Sequence, residues 1–431
     1  MGINLVVIGA ASSYTPELFY DLAEDRERLD VEQVTLIDLN EDKLKFTTDV
    51  CERLIRKNHL DLKLVATTKL EKGIEGADFI LPQIRVGGLN ARVRDETLPM
   101  ELDMVGNETT GAGGFVCAMR TVPVMLDIVR QVERIAPDAW ILNMSNPAGI
   151  VTEAISKHTK VRALGFCNIP INTTYALAHL LNVDPATVQI DSFGLNHLSW
   201  TRRVLVNGED KLSALLDEAY EQDSILYQHG LVESLLTPEY LQTIRMIPSW
   251  YVRYFYYPEL VLEEDRKEAH TKGVSDMQAE KELRAIYLSE GYNEQAQKIL
   301  ADKGGAQYYL PVLQAIDSIV HDRGDIVIVD TKNGTCMPDL PENVCVEVPA
   351  RLYKNRVEPL QVGLIPLSVR GLVQTVKAYE ELTIEAAITG SQKTAIAALM
   401  ANPLVGTYPK ARKFLDRVLE NESEYLKPFY K

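Results

Sequence analysis

The sequence predicts an α/β fold: a Rossmann-like, doubly wound sheet at the N-terminus, followed by an α+β lobe. Three observations predict it. An almost uninterrupted apolar run at residues 4–8 enters a turn of small residues, then a helix, then a second apolar run that ends in Asp38. Further strand-like runs at 77–84, 139–143 and 161–166 each stop at a polar signature. Beyond residue 172 the alternation of strand and helix weakens and charged helical stretches take over. The boundary is placed between 1–170 and 171–431, because 431 residues exceed one ordinary core.

Composition narrows the class. The formal net charge of −16 disfavours nucleic acid as a partner. Against that background a cluster of arginines is informative, because it suits an anionic ligand. No apolar run approaches the length of a membrane span, and Met1-Gly2-Ile3-Asn4 enters the first strand without a signal segment. Five scattered cysteines (Cys51, Cys117, Cys167, Cys336, Cys345) are odd in number, which argues for a reducing compartment. A cytoplasmic protein with neither a membrane nor a nucleic-acid partner is expected.

The first element, Asn4-Leu5-Val6-Val7-Ile8, reads as a buried parallel strand. The turn Gly9-Ala10-Ala11-Ser12-Ser13-Tyr14-Thr15-Pro16 lets the backbone approach a pyrophosphate, and the amides opening the next helix can bind it. Gly9, Ser12, Ser13, Tyr14 and Thr15 are therefore candidate cofactor-binding residues. Asp38 ends the second strand, where a carboxylate bonds a ribose 2′-hydroxyl and repels a 2′-phosphate, favouring NAD over NADP. Only Gly9 remains of the usual three glycines, and an ordinary doubly wound sheet without a nucleotide is the plainer alternative.

Residues 42–57 read as a charged helix. The strand at 77–84 is followed by a basic loop, 85–96, with three arginines and a glycine pair suited to a phosphate or carboxylate. A solvated charged loop is the bland reading of the same residues. The run 106–115, rich in glycine, reads as a cofactor- and substrate-facing loop before a helix at 119–135. The strand at 139–143 ends in Met144-Ser145-Asn146-Pro147-Ala148-Gly149 and a helix through His158. Ligands of such sheets lie beyond the carboxyl ends of the strands, where each of these signatures falls.

Two signatures follow: Gly165-Phe166-Cys167-Asn168-Ile169-Pro170 and Gly194-Leu195-Asn196-His197-Leu198-Ser199-Trp200. A thiol and an imidazole at the ends of apolar runs can share one divalent metal, and their softness alone suggests zinc. A buried structural cysteine and a satisfied core histidine are the competing reading. Residues 188–206 give strands, and 250–257 hold six aromatics. Further strands fall at 326–330 and 344–348, a long amphipathic helix at 371–399, and an acidic, solvated C-terminal helix at 411–425.

Gly9-Ala10-Ala11-Ser12-Ser13-Tyr14-Thr15-Pro16-Glu17-Leu18, Glu108-Thr109-Thr110-Gly111, Ser145-Asn146-Pro147, Gly165-Phe166-Cys167-Asn168-Ile169-Pro170 and Asn196-His197 occur in one order along the chain. In that order they resemble glycoside hydrolase family 4, the NAD- and metal-dependent glycosidases on a lactate/malate dehydrogenase-like fold. The chain looks most like the 6-phospho-β-glucosidase branch, because Asn168 follows the cysteine where the 6-phospho-α-glucosidases usually place an Asp.

The resemblance implies hydride removal from sugar C3 by NAD⁺, loss of the acidified C2 proton, elimination at C1, addition of water and reduction back at C3. Ordinary glycosidases use a pair of carboxylates instead, and this family is a known exception. By the same resemblance Cys167 and His197 hold the metal, Mn²⁺ rather than zinc, and Tyr251 is the base. Arg92, Asn146, Glu108 and Asn168 fall at substrate-binding positions. Lys272 stands where the family often has Arg, as a point charge rather than a fork. The implied partner is a phosphorylated disaccharide or β-glucoside, such as cellobiose 6-phosphate. The N-terminal part is then the NAD-binding domain, and the remainder carries substrate, metal and oligomerisation functions in a homodimer or homotetramer. A 2-hydroxy-acid dehydrogenase, which shares the fold and an arginine for an anion, is the rival from another class. A non-catalytic NAD sensor is a third reading, and Cys167, His197 and Tyr251 together count against it.

Overall fold

The computed structural model describes residues 2–26, 28–219, 225–228, 230–289, 291–305, 307–426 and 429. One sheet runs through them. In chain order its strands are β1 (Ile3–Ile8), β2 (Val31–Ile37), β3 (Lys63–Thr67), β4 (Phe79–Pro82), β5 (Trp140–Asn143) and β6 (Arg162–Gly165). Then come β7 (Val188–Leu195), β8 (Leu198–Val206), β9 (Glu209–Asp210), β10 (Ile247–Pro248), β11 (Asp325–Lys332), β12 (Cys345–Leu352) and β13 (Val357–Pro359).

Across the sheet the order is β10-β8-β7-β12-β11-β6-β5-β4-β1-β2-β3. The stretch β3-β2-β1-β4-β5-β6 is parallel throughout. It is the Rossmann order, with its switch point between β1 and β4. Beyond β6 every pairing is antiparallel. The N-terminal half is thus Rossmann-like, and the sheet continues into the C-terminal lobe.

Alternate residues of β1 feed opposite cores. Val6 and Ile8 pack with Phe115, Met119 and Val122 of the helix Gly111–Ile135. Leu5 and Val7 pack with Leu18, Leu36, Leu283, Tyr309 and Val312. The helices Lys272–Ser289 and Leu310–Val320 therefore cover one face of the nucleotide-binding half.

Several expectations are corrected. The basic loop at 85–96 is a helix, Gly88–Met100, entered through Gly87 at φ 87°. Past Gly88 the chain carries no further glycine until Gly106, and Arg92 pairs with Glu96 one turn on (2.8 Å). The run 106–115 is a loop only to Thr110, since the next helix starts at Gly111. Its glycines answer to packing: a Cβ on Gly113 would lie 2.2 Å from the Asn107 carbonyl oxygen and 2.4 Å from that of Asp95. That helix is also long and apolar enough to cross a membrane, which the expectation of no such run missed. Of its most apolar stretch 78% is buried inside the protein, so it is a core helix.

The helix at 371–399 is two helices, Leu367–Thr389 and Gln392–Ala401, separated at Gly390 in the left-handed region. The C-terminal helix, Tyr408–Asn421, is amphipathic rather than simply solvated, burying Ala411, Phe414, Leu415 and Val418. Glu422 beyond it is buried and accepts from Arg94 and Arg120.

Candidate active site

The nucleotide turn follows β1. Gly9 has φ 85°, and a Cβ there would lie 2.8 Å from the Gln83 carbonyl oxygen. Asp38 accepts from the Ala11 amide at 3.0 Å, tying the end of β2 to the turn. Ser12 Oγ accepts from the Tyr14 amide (3.3 Å), and Ser13 Oγ accepts from Lys303 Nζ (3.1 Å). The Tyr14 ring stacks on Tyr308, centroids 4.7 Å apart. Thr15 is fully buried and its hydroxyl accepts from Gln83 Nε2 (2.9 Å), so it shapes the turn from beneath. The helix Thr15–Glu24 starts here, its partly positive N-terminus at the turn.

Cys167 lies two residues past β6, and His197 is the second residue of the turn between β7 and β8, at φ 63°. The left-handed region accepts histidine more readily than bulkier or β-branched residues. Cys167 Sγ and His197 Nε2 are 3.5 Å apart. Two ligands of one cation at bond lengths of about 2.3 and 2.1 Å fall near this separation. The pair therefore fits a shared divalent ion. Among the described residues no group of three or more His, Cys, Asp or Glu is arranged for a metal, so this site offers a pair of ligands.

The imidazole tautomer follows from its neighbours. Asn107 Oδ1 accepts from the Thr109 and Thr110 amides (2.9 and 3.0 Å), and Asn107 Nδ2 donates to the Tyr254 hydroxyl (3.1 Å). The Thr109 hydroxyl donates to that same Oδ1 at 3.0 Å. Its single proton spent, Thr109 Oγ1 must accept from His197 Nδ1, 3.0 Å away. The proton is then on Nδ1, and the Nε2 lone pair faces Cys167. Burial holds the imidazole down, to a pKa of about 4, against the pull of Glu108, so it is neutral, as a metal ligand needs. Burial first, then Glu347, pushes the Cys167 thiol up, so the thiolate requires a bound cation.

Tyr251 lies flat on the His197 ring, centroids 3.9 Å apart and planes within 4°. Burial, then Tyr254 and Cys167, raises its phenol above the usual value, while Arg92 works in the opposite direction. Arg92 sits among three carboxylates: Glu96 at 2.8 Å, Asp276 at 2.5 Å and Glu108 at 3.2 Å. Burial opposes ionisation of Glu108, but Arg85 and Arg92 outweigh it and hold the carboxyl below its usual range. Arg94 is drawn away to Glu422, so the three arginines do not form the single anion site expected of them. Lys272 is half-exposed and reaches Asp276 (3.1 Å) and the Asp302 carbonyl (3.0 Å). Asn168 Nδ2 donates to the Gly304 carbonyl (2.7 Å). Asn146 is partly buried beyond β5, its carbonyl accepting from Cys117 Sγ (3.6 Å).

Cys167, His197 and Tyr251 thus come together with Glu108 and Arg92 nearby, and Lys272 joins Arg92 through Asp276. Sequence reasoning missed Asn107 and Thr109, which orient the imidazole, and Lys303, which meets the nucleotide turn. It also missed Glu347, which accepts from Asn196 Nδ2 (2.9 Å) beside His197. Thr109 lay inside a quoted motif, but nothing in its spelling tells which side chain its hydroxyl meets.

A Rossmann half whose turn lies near a thiol–imidazole pair and a stacked phenol defines a nucleotide- and metal-assisted enzyme. The comparisons narrow the class. The model of the family 4 glycosyl hydrolases matches residues 4–183, and that of the family 4 C-terminal domain matches 192–405. The chain belongs to this glycosyl hydrolase family. It is 33% identical to a probable 6-phospho-β-glucosidase of Bacillus subtilis over 100% of this chain and 98% of the relative. It is 29% identical to a phospho-α-glucosidase of Clostridium acetobutylicum, over 98% of both. The 6-phospho-β-glucosidase of Thermotoga maritima, solved with NAD and glucose-6-phosphate, superposes with a TM-score of 0.90 at 30% identity, over 98% of this chain and 99% of that one. A second structure of that enzyme, holding manganese, NAD⁺ and glucose-6-phosphate, gives 0.89 at 29% identity over the same shares.

Proposed function

We propose that this chain is a cytoplasmic 6-phospho-β-glucosidase. It cleaves phosphorylated β-glucosides such as cellobiose 6-phosphate to glucose 6-phosphate and an aglycone or sugar. The observation that carries the reading is the His197 ring, with Nε2 3.5 Å from Cys167 Sγ and one face covered by Tyr251. When bound, NAD supplies a hydride acceptor and donor for sugar C3, and a divalent cation such as Mn²⁺ supplies the charge that polarises the C2 and C3 oxygens.

The chain's own residues do the rest. Cys167 and His197 present one sulfur and one nitrogen, and Thr109 fixes the tautomer that makes the nitrogen a donor of electrons. Gly9, Ser12, Ser13 and Tyr14 form the cofactor cradle, Thr15 supports it, and Asp38 ends β2 beside it. Tyr251 takes the C2 proton at its phenolic oxygen; burial, then Tyr254 and Cys167, keep that phenol protonated in the chain alone, so its ionisation calls for the charge of a bound cation, with Arg92 acting in the same direction. Arg92 and Lys272, sharing Asp276, face the substrate's anionic end, and Glu108, Asn146 and Asn168 bond sugar hydroxyls. Asn168 has no acidic proton to give, which favours the β-glucosidase reading over the α-glucosidase one.

The enzyme acts as a homodimer or homotetramer, a point that light scattering decides. The deciding assay is hydrolysis of 4-nitrophenyl β-glucoside 6-phosphate and its α anomer, with and without NAD⁺ and Mn²⁺. Cleavage of the β anomer that needs both additions, with no net NADH, is expected. Stoichiometric NADH without cleavage would put a dehydrogenase in its place, and preference for the α anomer would favour the sister activity.

A further inference from the structure

Lys303 is the C-cap residue of the helix Glu294–Asp302, its amide donating to the Ala301 and Ile299 carbonyls. Its side chain is only 5% exposed, yet its polar company is thin. Nζ donates to Ser13 Oγ at 3.1 Å and lies 5.1 Å from the centre of the Tyr14 ring. The carboxylate nearest to it is that of Glu280, 3.7 Å away on a side chain that is itself 43% exposed. Burial lowers the pKa of this ammonium; Glu280 and Asp276 oppose that, and Arg85 and Arg92 add to it. A buried cation with so loose a counter-ion calls for an anion.

The surroundings say where the anion enters. Tyr14 and Ser13 belong to the nucleotide turn at the N-terminus of the ten-residue helix Thr15–Glu24. On the other side Asn168, next to Cys167, donates to the carbonyl of Gly304 (2.7 Å). A Cβ on Gly305 would lie 1.9 Å from the Tyr14 ring, so residues 303–305 are pressed onto the turn. Meanwhile Arg85 and Arg94 are drawn to carboxylates of the protein itself, Glu108 and Glu422. Lys303 is a buried cation at this junction whose carboxylate partner, Glu280, stands 3.7 Å off on a half-exposed side chain.

We propose that Lys303 is a phosphate-binding residue, its ammonium paired with an oxyanion held between the nucleotide turn and the Cys167 loop. This rests on the reading of residues 9–16 as the cofactor turn. A phosphate there has two sources: the pyrophosphate of NAD and the 6-phosphate of the sugar.

Calorimetric titration with NAD⁺ and, separately, with glucose 6-phosphate distinguishes them, Mn²⁺ being present in both. Lys303→Met keeps the length of the side chain and removes its charge, and Lys303→Arg keeps the charge. With the cofactor as source, K303M weakens NAD⁺ binding about tenfold or more and leaves glucose 6-phosphate within about twofold. With the sugar as source the pattern inverts. In either case K303R recovers most of the loss and the melting temperatures of all three proteins agree. Both dissociation constants unchanged in K303M would overturn the proposal. So would equal losses in K303M and K303R with a lowered melting temperature, the mark of a merely structural lysine. A parent protein that binds no NAD⁺ would defeat the cofactor-turn reading, and the glucose 6-phosphate arm would then decide Lys303 by itself.

Discussion

Replacing Thr109 by valine removes one hydroxyl and almost no volume, yet it should loosen the metal. The hydroxyl accepts from His197 Nδ1 at 3.0 Å, and both residues are buried. Without it an imidazole N–H is left unsatisfied, at about 1–3 kcal/mol. The ring can answer by turning or by moving its proton to Nε2, which fills the lone pair facing Cys167. Either response weakens a metal held through that atom. Loss of such a supporting partner weakens affinity by about 10–100-fold, which is roughly 1.4–2.8 kcal/mol, the size of the missing bond. Mn²⁺ is titrated into chelator-stripped protein at saturating NAD⁺, following release of 4-nitrophenol from the β-glucoside 6-phosphate. Thr109→Val should shift half-saturation upward by that factor, with the rate at saturating Mn²⁺ within about threefold of the parent. Thr109→Ser keeps the hydroxyl and should stay near the parent. A half-saturation for Thr109→Val within twofold of the parent would refute the assignment of the tautomer.

Cys167→Ser exchanges the thiolate for a poor ligand; cleavage should fall to background while NAD⁺ titration and melting stay close to the parent, and near-normal turnover in chelating buffer would exclude the metal role. Tyr251→Phe keeps the ring over His197 and removes the phenol, so cleavage should be lost with NAD⁺ binding retained. For the parent, product formed in D₂O should carry deuterium at C2 when the abstracted proton exchanges with solvent. Cleavage without any such label under exchanging conditions would remove the support for a C2 base. Arg92→Ala leaves Glu96, Glu108 and Asp276 without their shared cation. It should cost about 3–5 kcal/mol of stability, read from the urea midpoint, besides weakening substrate binding; an unmoved midpoint would contradict the buried cluster.

The Rossmann half was legible because its signals are local. Apolar runs with a small-residue turn and a terminal Asp38 specify strand, turn and strand without help from distant residues. Cys167 and His197 were legible as residue types at strand ends. Their approach was not, because β11 and β12 lie between their strands in the sheet. The helix Gly88–Met100 was misread because Gly87 and Gly88 mark a turn and its arginines sit on several faces. Those faces meet Glu108, Asp276 and Glu422, partners up to 328 residues away. The glycines at 111–114 read as part of a cofactor- and substrate-facing loop, whereas Gly113 and Gly114 are where backbones press closely on a helix. Lys303 carried no motif, and its place is set by a helix end meeting the turn from across the fold.

The interposition of β11 and β12 has a consequence for synthesis on the ribosome. Cys167 and His197 are translated 30 residues apart, but the strands that space them, Asp325–Lys332 and Cys345–Leu352, emerge much later. The nucleotide turn waits as well, because Lys303, Tyr308 and the helices Lys272–Ser289 and Leu310–Val320 that support it emerge long after the thiol and imidazole, which themselves still lack the framework that sets them 3.5 Å apart. The growing polypeptide therefore passes through a long stage in which neither the nucleotide turn nor the thiol–imidazole pair has its full set of supports. Premature release before residue 352 yields fragments without the means to oxidise or cleave a sugar.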